Sequence, residues 1–278
     1  MNKIPEPVSR LRLLPISKFA AAPKWQLETM RALQEPLFLW ITNGQGRINL
    51  GGSTRGFHPH NAIYIPAGTL HGFQAMTRVQ GTAVYFGRNH KLDLPDTPLH
   101  LRLRDATLHA EVANLIDSVQ RELDGGRPKA EVAAYHQLGL LAIWLDRHSQ
   151  DASEEGMQAS PQLNANERLT ARYAALLERE FGSSLNVTDY ATALGVTPTH
   201  LTRACRASCG RTALALMQER RLFEARRLLL ETDIAVQDIA RNLGFSTPGY
   251  FSRAFTQQTG QPPSAFRKAR VSRMQILH

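Results

Sequence analysis

Cysteine is nearly absent: only Cys205 and Cys209 occur in 278 residues, one helical turn apart. A pair so placed is poorly set for a bridge and too sparse for a disulfide framework. That fits a reducing compartment and leaves both thiols as packing or surface groups. Long apolar runs are missing too. No stretch is long enough to span a bilayer and the N-terminus has no secretory apolar core, so a soluble, cytoplasmic chain without a membrane partner is expected. Acidic residues are in deficit, 24 Asp/Glu against 33 Lys/Arg, for a net charge of +9. The deficit is uneven, with 16 Lys/Arg and 9 Asp/Glu from Asn166 onward, and 17 and 15 before it. A polyanionic partner would therefore meet the second part of the chain, although a solvated basic face has the same composition.

That second part contains a pattern written twice. In Asp233–Arg267, apolar Val236, Ile239, Ala240 and Leu243 predict a short amphipathic helix. Gly244 breaks it, Thr247-Pro248 reads as an N-cap with proline at the first helical position, and Phe251, Ala254 and Phe255 line a second helix. Two short helices about a glycine turn make a helix-turn-helix, whose second helix can enter a DNA major groove. Val187, Asp189, Ala191, Leu194 and Gly195 repeat the first helix 49 residues earlier. Past the turn the offset is 50: Thr197-Pro198, Arg203, Cys205 and Gly210 match Thr247-Pro248, Arg253, Phe255 and Gly260. A one-residue change confined to a turn alters no helix phase, so the repeat is far more specific than either copy.

Between the copies, Thr212–Glu231 contains neither proline nor glycine and predicts one long helix. Leu216, Leu222, Ala225, Leu228 and Leu229 are its expected inner face. Arg220, Arg221, Arg226 and Arg227 are expected mostly on a solvated, salt-bridged face. A further helix is expected near Glu167–Phe181.

The first part reads differently. Residues 1 to about 20 mix proline and basic residues, as an arm does. Short apolar stretches at Leu37–Ile41, Arg47–Leu50, Ala62–Ile65 and Thr82–Phe86, punctuated by Asn43-Gly44 and Gly51-Gly52, predict an antiparallel barrel or jelly roll. Pro66-x-Gly68-x-x-His71, following a strand, resembles the second motif of cupin barrels, and Gly44-x-Gly46 resembles the turn after the first. Metal-binding cupins add two histidines and a carboxylate before that turn. Trp25–Trp40 has no histidine, only Glu28 and Glu35, and His58-Pro59-His60 falls at the wrong turn. A barrel without metal is expected, with His71 a pocket or core residue. Trp25, Phe38, Trp40, Tyr64, His71, Phe73 and Tyr85 are candidates to line an effector pocket, plain core being the competing reading for each. Arg47 could hold a ligand carboxylate, or be a solvated strand-end charge.

Apolar stripes at Leu108–Leu123, ended by Gly125-Gly126, and over Lys129–Arg147 predict two helices. They cap the barrel, or one pairs with its copy in a second chain. Ser149–Asn166 is polar and small and reads as a flexible linker.

The C-terminal region resembles the DNA-binding domain of the arabinose-regulator (AraC/XylS) family of bacterial transcription factors. The residues that carry the resemblance are Arg221-Leu222, Arg226, Leu228-Leu229, Ile234, Val236, Ile239-Ala240, Leu243-Gly244-Phe245, Tyr250-Phe251, Arg253, Phe255, Gly260, Pro262-Pro263 and Phe266-Arg267. Gly249, Cys205 and Thr256 depart from the family's usual polar, aromatic and basic residues. The resemblance implies two domains: an N-terminal all-β cupin-like barrel (about 20–100) followed by helices (about 105–149), then a C-terminal all-α domain (167–270) with two helix-turn-helix motifs joined by a long helix. A linker over 150–166 would separate them, with a tail at 271–278. It implies a regulator of transcription, more an activator than a repressor, with double-stranded promoter or operator DNA, RNA polymerase, a small-molecule effector and a second copy of the chain as partners. DNA would be met by Thr199, His200, Thr202, Arg203 and Arg206, then by Gly249, Tyr250, Ser252 and Arg253. Arg203 and Arg253 are the best candidates for guanine or phosphate contacts. No catalytic residue, metal or cofactor is expected. The alternative is a metal-dependent cupin enzyme with a helical accessory domain.

Overall fold

Strand β2 (Leu37–Asn43) shows how the N-terminal region is built, because both of its faces are buried. Leu37, Leu39 and Ile41 enter one apolar core, while Phe38 and Trp40 enter another. In this computed structural model, which describes residues 11–17, 30–88, 90–150, 157–158 and 163–268, the same alternation recurs along β5 (Asn61–Ile65) and β7 (Gln80–Tyr85). A side-chain period of two sends neighbours to opposite faces, so a strand covered on both sides reads as a continuous apolar run.

Two antiparallel sheets provide one of the covers. The larger runs β1 (Arg12–Pro15), β7, β2, β5, β8 (Leu99–Leu103) and β9 (Met157–Gln158). The smaller runs β4 (Ser53–Phe57), β3 (Gly46–Leu50) and β6 (His71–Ala75). Ile48, Phe57 and Phe73 face Leu37, Ile63 and Ala83 between the sheets, with Phe57 stacked on Phe73 at 4.8 Å. Helices α1 (Ala106–Asp124) and α2 (Ala130–Gln150) supply the other cover, laying Val112, Ile116, Leu138, Leu141 and Leu145 on Phe38, Trp40, Tyr64 and Val84. Capping of the sheet is thus what these helices do on their inner faces.

Three expectations change here. Residues 12–15 of the presumed arm form β1, paired to β7 in the register Arg12↔Tyr85, and Ile16 behind it is fully buried. Met157–Gln158, inside the presumed linker, pair antiparallel with β8. The effector candidates do not share one pocket: Phe38, Trp40 and Tyr64 lie beneath the helices, Phe73 and Tyr85 between the sheets, and Arg47 is exposed. Trp25 and Glu28 lie outside the described residues. Glu35 is buried under a two-point ion pair with Arg12 (2.7 and 3.2 Å) and accepts from the Gly87 N–H at 3.1 Å.

His71 is 1% exposed; its Nδ1 lies 2.8 Å from the Thr69 carbonyl, and Nε2 has no hydrogen-bond partner among the described residues. Burial, then the nearby Arg31 guanidinium, pulls its imidazole down to about 3, the Thr69 bond acting in the opposite sense. Since the unfolded chain takes up this proton near pH 6.5, stability falls as pH drops from about 6.5 toward 3. Between pH 7 and pH 5 His71 should account for about 2 kcal/mol of lost stability. Denaturant melts at the two pH values should show a loss smaller by that amount in His71→Gln; an identical loss would contradict the assignment.

The helical region follows as α3 (Ala165–Glu180), α4 (Val187–Ala193), α5 (Pro198–Cys209), α6 (Ala213–Glu231), α7 (Val236–Asn242), α8 (Pro248–Thr259) and a last helical segment over 263–268. The β3–β4 turn docks on its first half. Ser53 Oγ donates to Glu167 Oε1 at 2.7 Å, and a Cβ on Gly52 would lie 2.3 Å from Thr170 Cγ2. Met30 and Leu70 join the core of Leu169, Tyr173, Leu201 and Leu216.

Candidate nucleic-acid interface

The two copies of the repeat fold alike down to their caps. Thr197 Oγ1 accepts from the His200 N–H (3.2 Å) and Thr247 Oγ1 from the Tyr250 N–H (3.1 Å), each with proline in the first helical turn. Gly210 and Gly260 close α5 and α8 at φ 71° and 77°, the left-handed region that glycine enters without strain. Between the helices, the Val196 N–H reaches the Ala191 carbonyl and the Phe245 N–H the Ala240 carbonyl, both at 3.0 Å. These partners are still 49 apart, so Ser246 is the inserted residue. It precedes the second cap and leaves both helices in phase. One asymmetry remains: Asn186 and Asp189 form a capping box at α4, whereas Ala235 at α7 makes no side-chain cap.

Each second helix buries one face and leaves the other open. In α5, Leu201, Ala204 and Cys205 are buried, while Thr199, His200, Arg203 and Arg206 are exposed and Thr202 is half-buried. In α8, Phe251 and Phe255 are buried, while Gly249, Tyr250 and Arg253 are exposed and Ser252 is half-buried. Burying each phenylalanine contributes about 1.5–3 kcal/mol, which fixes which face is left outward. All nine expected contact residues therefore lie on the unburied faces. Neither helix carries a carboxylate, and Arg203 and Arg253 make no ion pair among the described residues. Tyr250 is partly committed elsewhere, since its hydroxyl accepts from Gln218 Nε2 of α6 and its ring lies 6.1 Å from Phe245. Arg253 and Tyr250 also border a groove of about 680 Å³ between α6 and α8. Cys205 is buried and Cys209 half-buried, their thiols pushed up by burial, Cys205 to about 12.

Helix α6 sets the spacing of the two copies. Its first half (Ala213, Leu216, Met217) completes the core of α3, α4 and α5; its second (Leu222, Ala225, Leu228, Leu229) completes that of α7, α8 and Phe266. At the handover stand Arg220 and Arg221, and here the sequence expectation fails. Arg220, Arg221 and Arg226 are 1%, 5% and 3% exposed rather than solvated; only Arg227, paired to Glu224 and Glu231, fits the salt-bridged face. Arg220 grips Glu178 of α3 through Nε (2.5 Å) and a terminal nitrogen (2.9 Å), and lies 3.7 Å over the Phe181 ring. Arg221 donates to four backbone carbonyls: Phe181 (2.9 Å), Ser183 (2.9 Å), Leu185 (2.9 Å) and Gly244 (3.0 Å). The first three belong to the α3–α4 connection and the last to the α7–α8 turn, so one guanidinium joins both copies. The signal was present in the sequence, because Met217, Arg221, Ala225 and Leu228 keep the 4-4-3 spacing of a buried stripe.

No helix among the described residues is long and apolar enough to cross a membrane. Among the same residues no three His, Cys, Asp or Glu side chains form a group able to hold a metal ion.

A family model described as a helix-turn-helix domain matches residues 190–269. The HTH-type transcriptional regulator GlxA of Rhizobium meliloti is 37% identical over 117 residues, 40% of this chain and 36% of that protein. The arabinose operon regulatory protein of Escherichia coli is 32% identical over 85 residues, 31% of this chain and 29% of that protein. Among solved structures, the C-terminal domain of AraT, a response regulator from Geobacillus stearothermophilus, is 30% identical with a TM-score of 0.36, covering 40% of this chain and 89% of that domain. The C-terminal region of the chain is thus a helix-turn-helix domain. That region is similar to the matching part of the arabinose operon regulatory protein. The chain spans about a third of the length of these curated relatives.

Proposed function

We propose that the chain is a sequence-specific DNA-binding regulator of transcription, more an activator than a repressor, in which α5 and α8 read successive major-groove segments on one face of the duplex. The observation that carries this reading is the pair of identically capped helices, each with an outward face free of carboxylates, held on one rigid helix. The names of the relatives, a transcriptional regulator and an operon regulatory protein, agree with it. Activation would bring RNA polymerase in as a partner. The N-terminal sheets, read as a cupin-like barrel with a boundary near residues 150–166, would respond to a small-molecule effector. Its differential affinity for two arrangements of the chain would be the energetic source of control. Selection of duplexes from a random pool by the full chain tests the reading. An enriched motif should emerge with two half-sites about 10–10.5 bp apart, and binding should weaken steeply with salt; recovery without an enriched motif would contradict it.

The outer face of α2 supports a homodimer. Val132, Leu140 and Ile143 are 54%, 50% and 49% exposed, and Leu140 and Ile143 border a groove of about 570 Å³ shared with Leu115 and Trp144. Apolar residues at this helical spacing form the seam through which identical helices pair. Sedimentation should show a dimer that Leu140→Glu with Ile143→Glu converts to a folded monomer. An unchanged dimer would place the contact elsewhere.

A further inference from the structure

We propose that Gln218 of α6 is a positioning residue, which turns the Tyr250 hydroxyl of α8 outward to donate its proton to a phosphate of bound DNA. Such a donor has a role only in a DNA-binding chain, so it rests on the reading given above. The two copies of the repeat differ at this point. At the third helical position α5 carries His200 and α8 carries Tyr250, both exposed. The His200 side chain makes no hydrogen bond among the described residues, whereas the Tyr250 hydroxyl is caught by Gln218 Nε2 from the neighbouring helix. The Tyr250 ring lies 6.1 Å from Phe245, a member of the core shared by α6, α7 and α8. A tyrosine that is 37% exposed is thus held at both ends.

What this arrangement leaves over is a proton. A phenol has one O–H and two lone pairs. Gln218 occupies a lone pair, and the Tyr250 oxygen donates to no group among the described residues. A hydroxyl that accepts one hydrogen bond is polarised to donate another, and its proton points away from the group that it accepts from. Gln218 and Tyr250 border the groove of about 680 Å³ between α6 and α8. Arg253, three residues on and so on the same face of α8, borders it too. A neutral donor therefore stands beside a guanidinium that makes no ion pair among the described residues. Glu219 also lines the groove, but its oxygens already accept from Arg211 Nε (2.8 Å) and the Met30 N–H (3.1 Å). Phosphate oxygens accept from tyrosine hydroxyls as well as from arginine. Because α6 is packed into the cores of both copies, Gln218 refers the place of this donor to the spacer helix as well as to α8.

Titrations of a selected duplex with the full chain test this. Tyr250→Phe, which keeps the ring, and Gln218→Met, which keeps the length, should each weaken binding about three- to tenfold, the range for one hydrogen bond. The double variant should lose no more than either alone, since both remove the same donation. A neutral donor releases no counterion, so the slope of log affinity against log salt should stay as in the wild type, unlike in Arg253→Ala. Methylphosphonate substitution, one phosphate at a time across the second half-site, should find a position that weakens the wild type about threefold more than it weakens either variant. A pair that only braced α8 would give no such position. Undiminished affinity in either variant, additive losses in the double variant, a lowered salt slope, or no phosphate whose effect shrinks in the variants would overturn the proposal. Equal binding of matched and mismatched duplexes by the wild type would contradict the regulatory reading alone, because a phosphate donor needs no preferred sequence. A wild type that binds no duplex would overturn both.

Discussion

Arg221→Ala is expected to destabilise the chain by about 3–5 kcal/mol, the range for stranding the partners of a buried charge. The side chain is 5% exposed and donates to four carbonyls from two otherwise separate connections. Removing it leaves those oxygens without their donor. The Gly244 turn is built around the same contact. Its φ is 69°, and a Cβ there would lie 2.0 Å from the Ser183 oxygen, so the turn is seated directly on the α3–α4 connection. Arg221→Lys should recover less than half of the loss, since one ammonium cannot reach carbonyls spread around a planar fork. Urea unfolding measures this: a loss below about 1 kcal/mol would mean the two copies are held by their apolar cores alone. Arg203→Ala, at an exposed position, should leave the midpoint unchanged.

The second large effect concerns binding. Arg203→Ala and Arg253→Ala should each weaken binding to a selected duplex by about 1–3 kcal/mol, roughly five- to 150-fold, but in different ways. On α5, Arg203 stands with exposed His200, Thr199 and Arg206, a face rich in groups that can read base edges. Its loss should relax the preferred sequence. On α8, Gly249 contributes no side chain and Tyr250 is tied to Gln218, so Arg253 is left to act chiefly through phosphates. Its loss should lower the slope of log affinity against log salt by about 1 while leaving the sequence preference intact. Titrations on matched and mismatched duplexes at several salt concentrations separate the two. Equal loss of preference in both variants would contradict this division.

Local signals carried the C-terminal half. The threonine caps, the glycines at Gly195, Gly244, Gly210 and Gly260 and the buried pairs Leu201/Cys205 and Phe251/Phe255 follow from spacing and backbone chemistry within a dozen residues. The outward faces, and with them the expected DNA contacts, follow as the complement. Charge misled at Arg220 and Arg221, because solvation is the usual fate of arginine on a helix and the compensating groups, the Glu178 carboxylate for one and four carbonyls for the other, come from 23 to 42 residues away. In the N-terminal half, the strands were legible and so, as one of two readings, were the helices that cap them; which side chains meet beneath those helices was not. Period-two reasoning places Phe38, Trp40 and Tyr64 on one face of a sheet without saying what lies over them. Helices α1 and α2 lie over them, which gives these three the core reading that competed with the pocket one.

Hydroxyl-radical footprinting of the full chain on a selected duplex tests the central claim most directly. Two protected segments on one face of the helix, centred about 10–10.5 bp apart, are predicted, the first fading in Arg203→Ala and the second in Arg253→Ala. A single protected segment, or two whose spacing puts them on opposite faces, would contradict a bipartite reader held on α6.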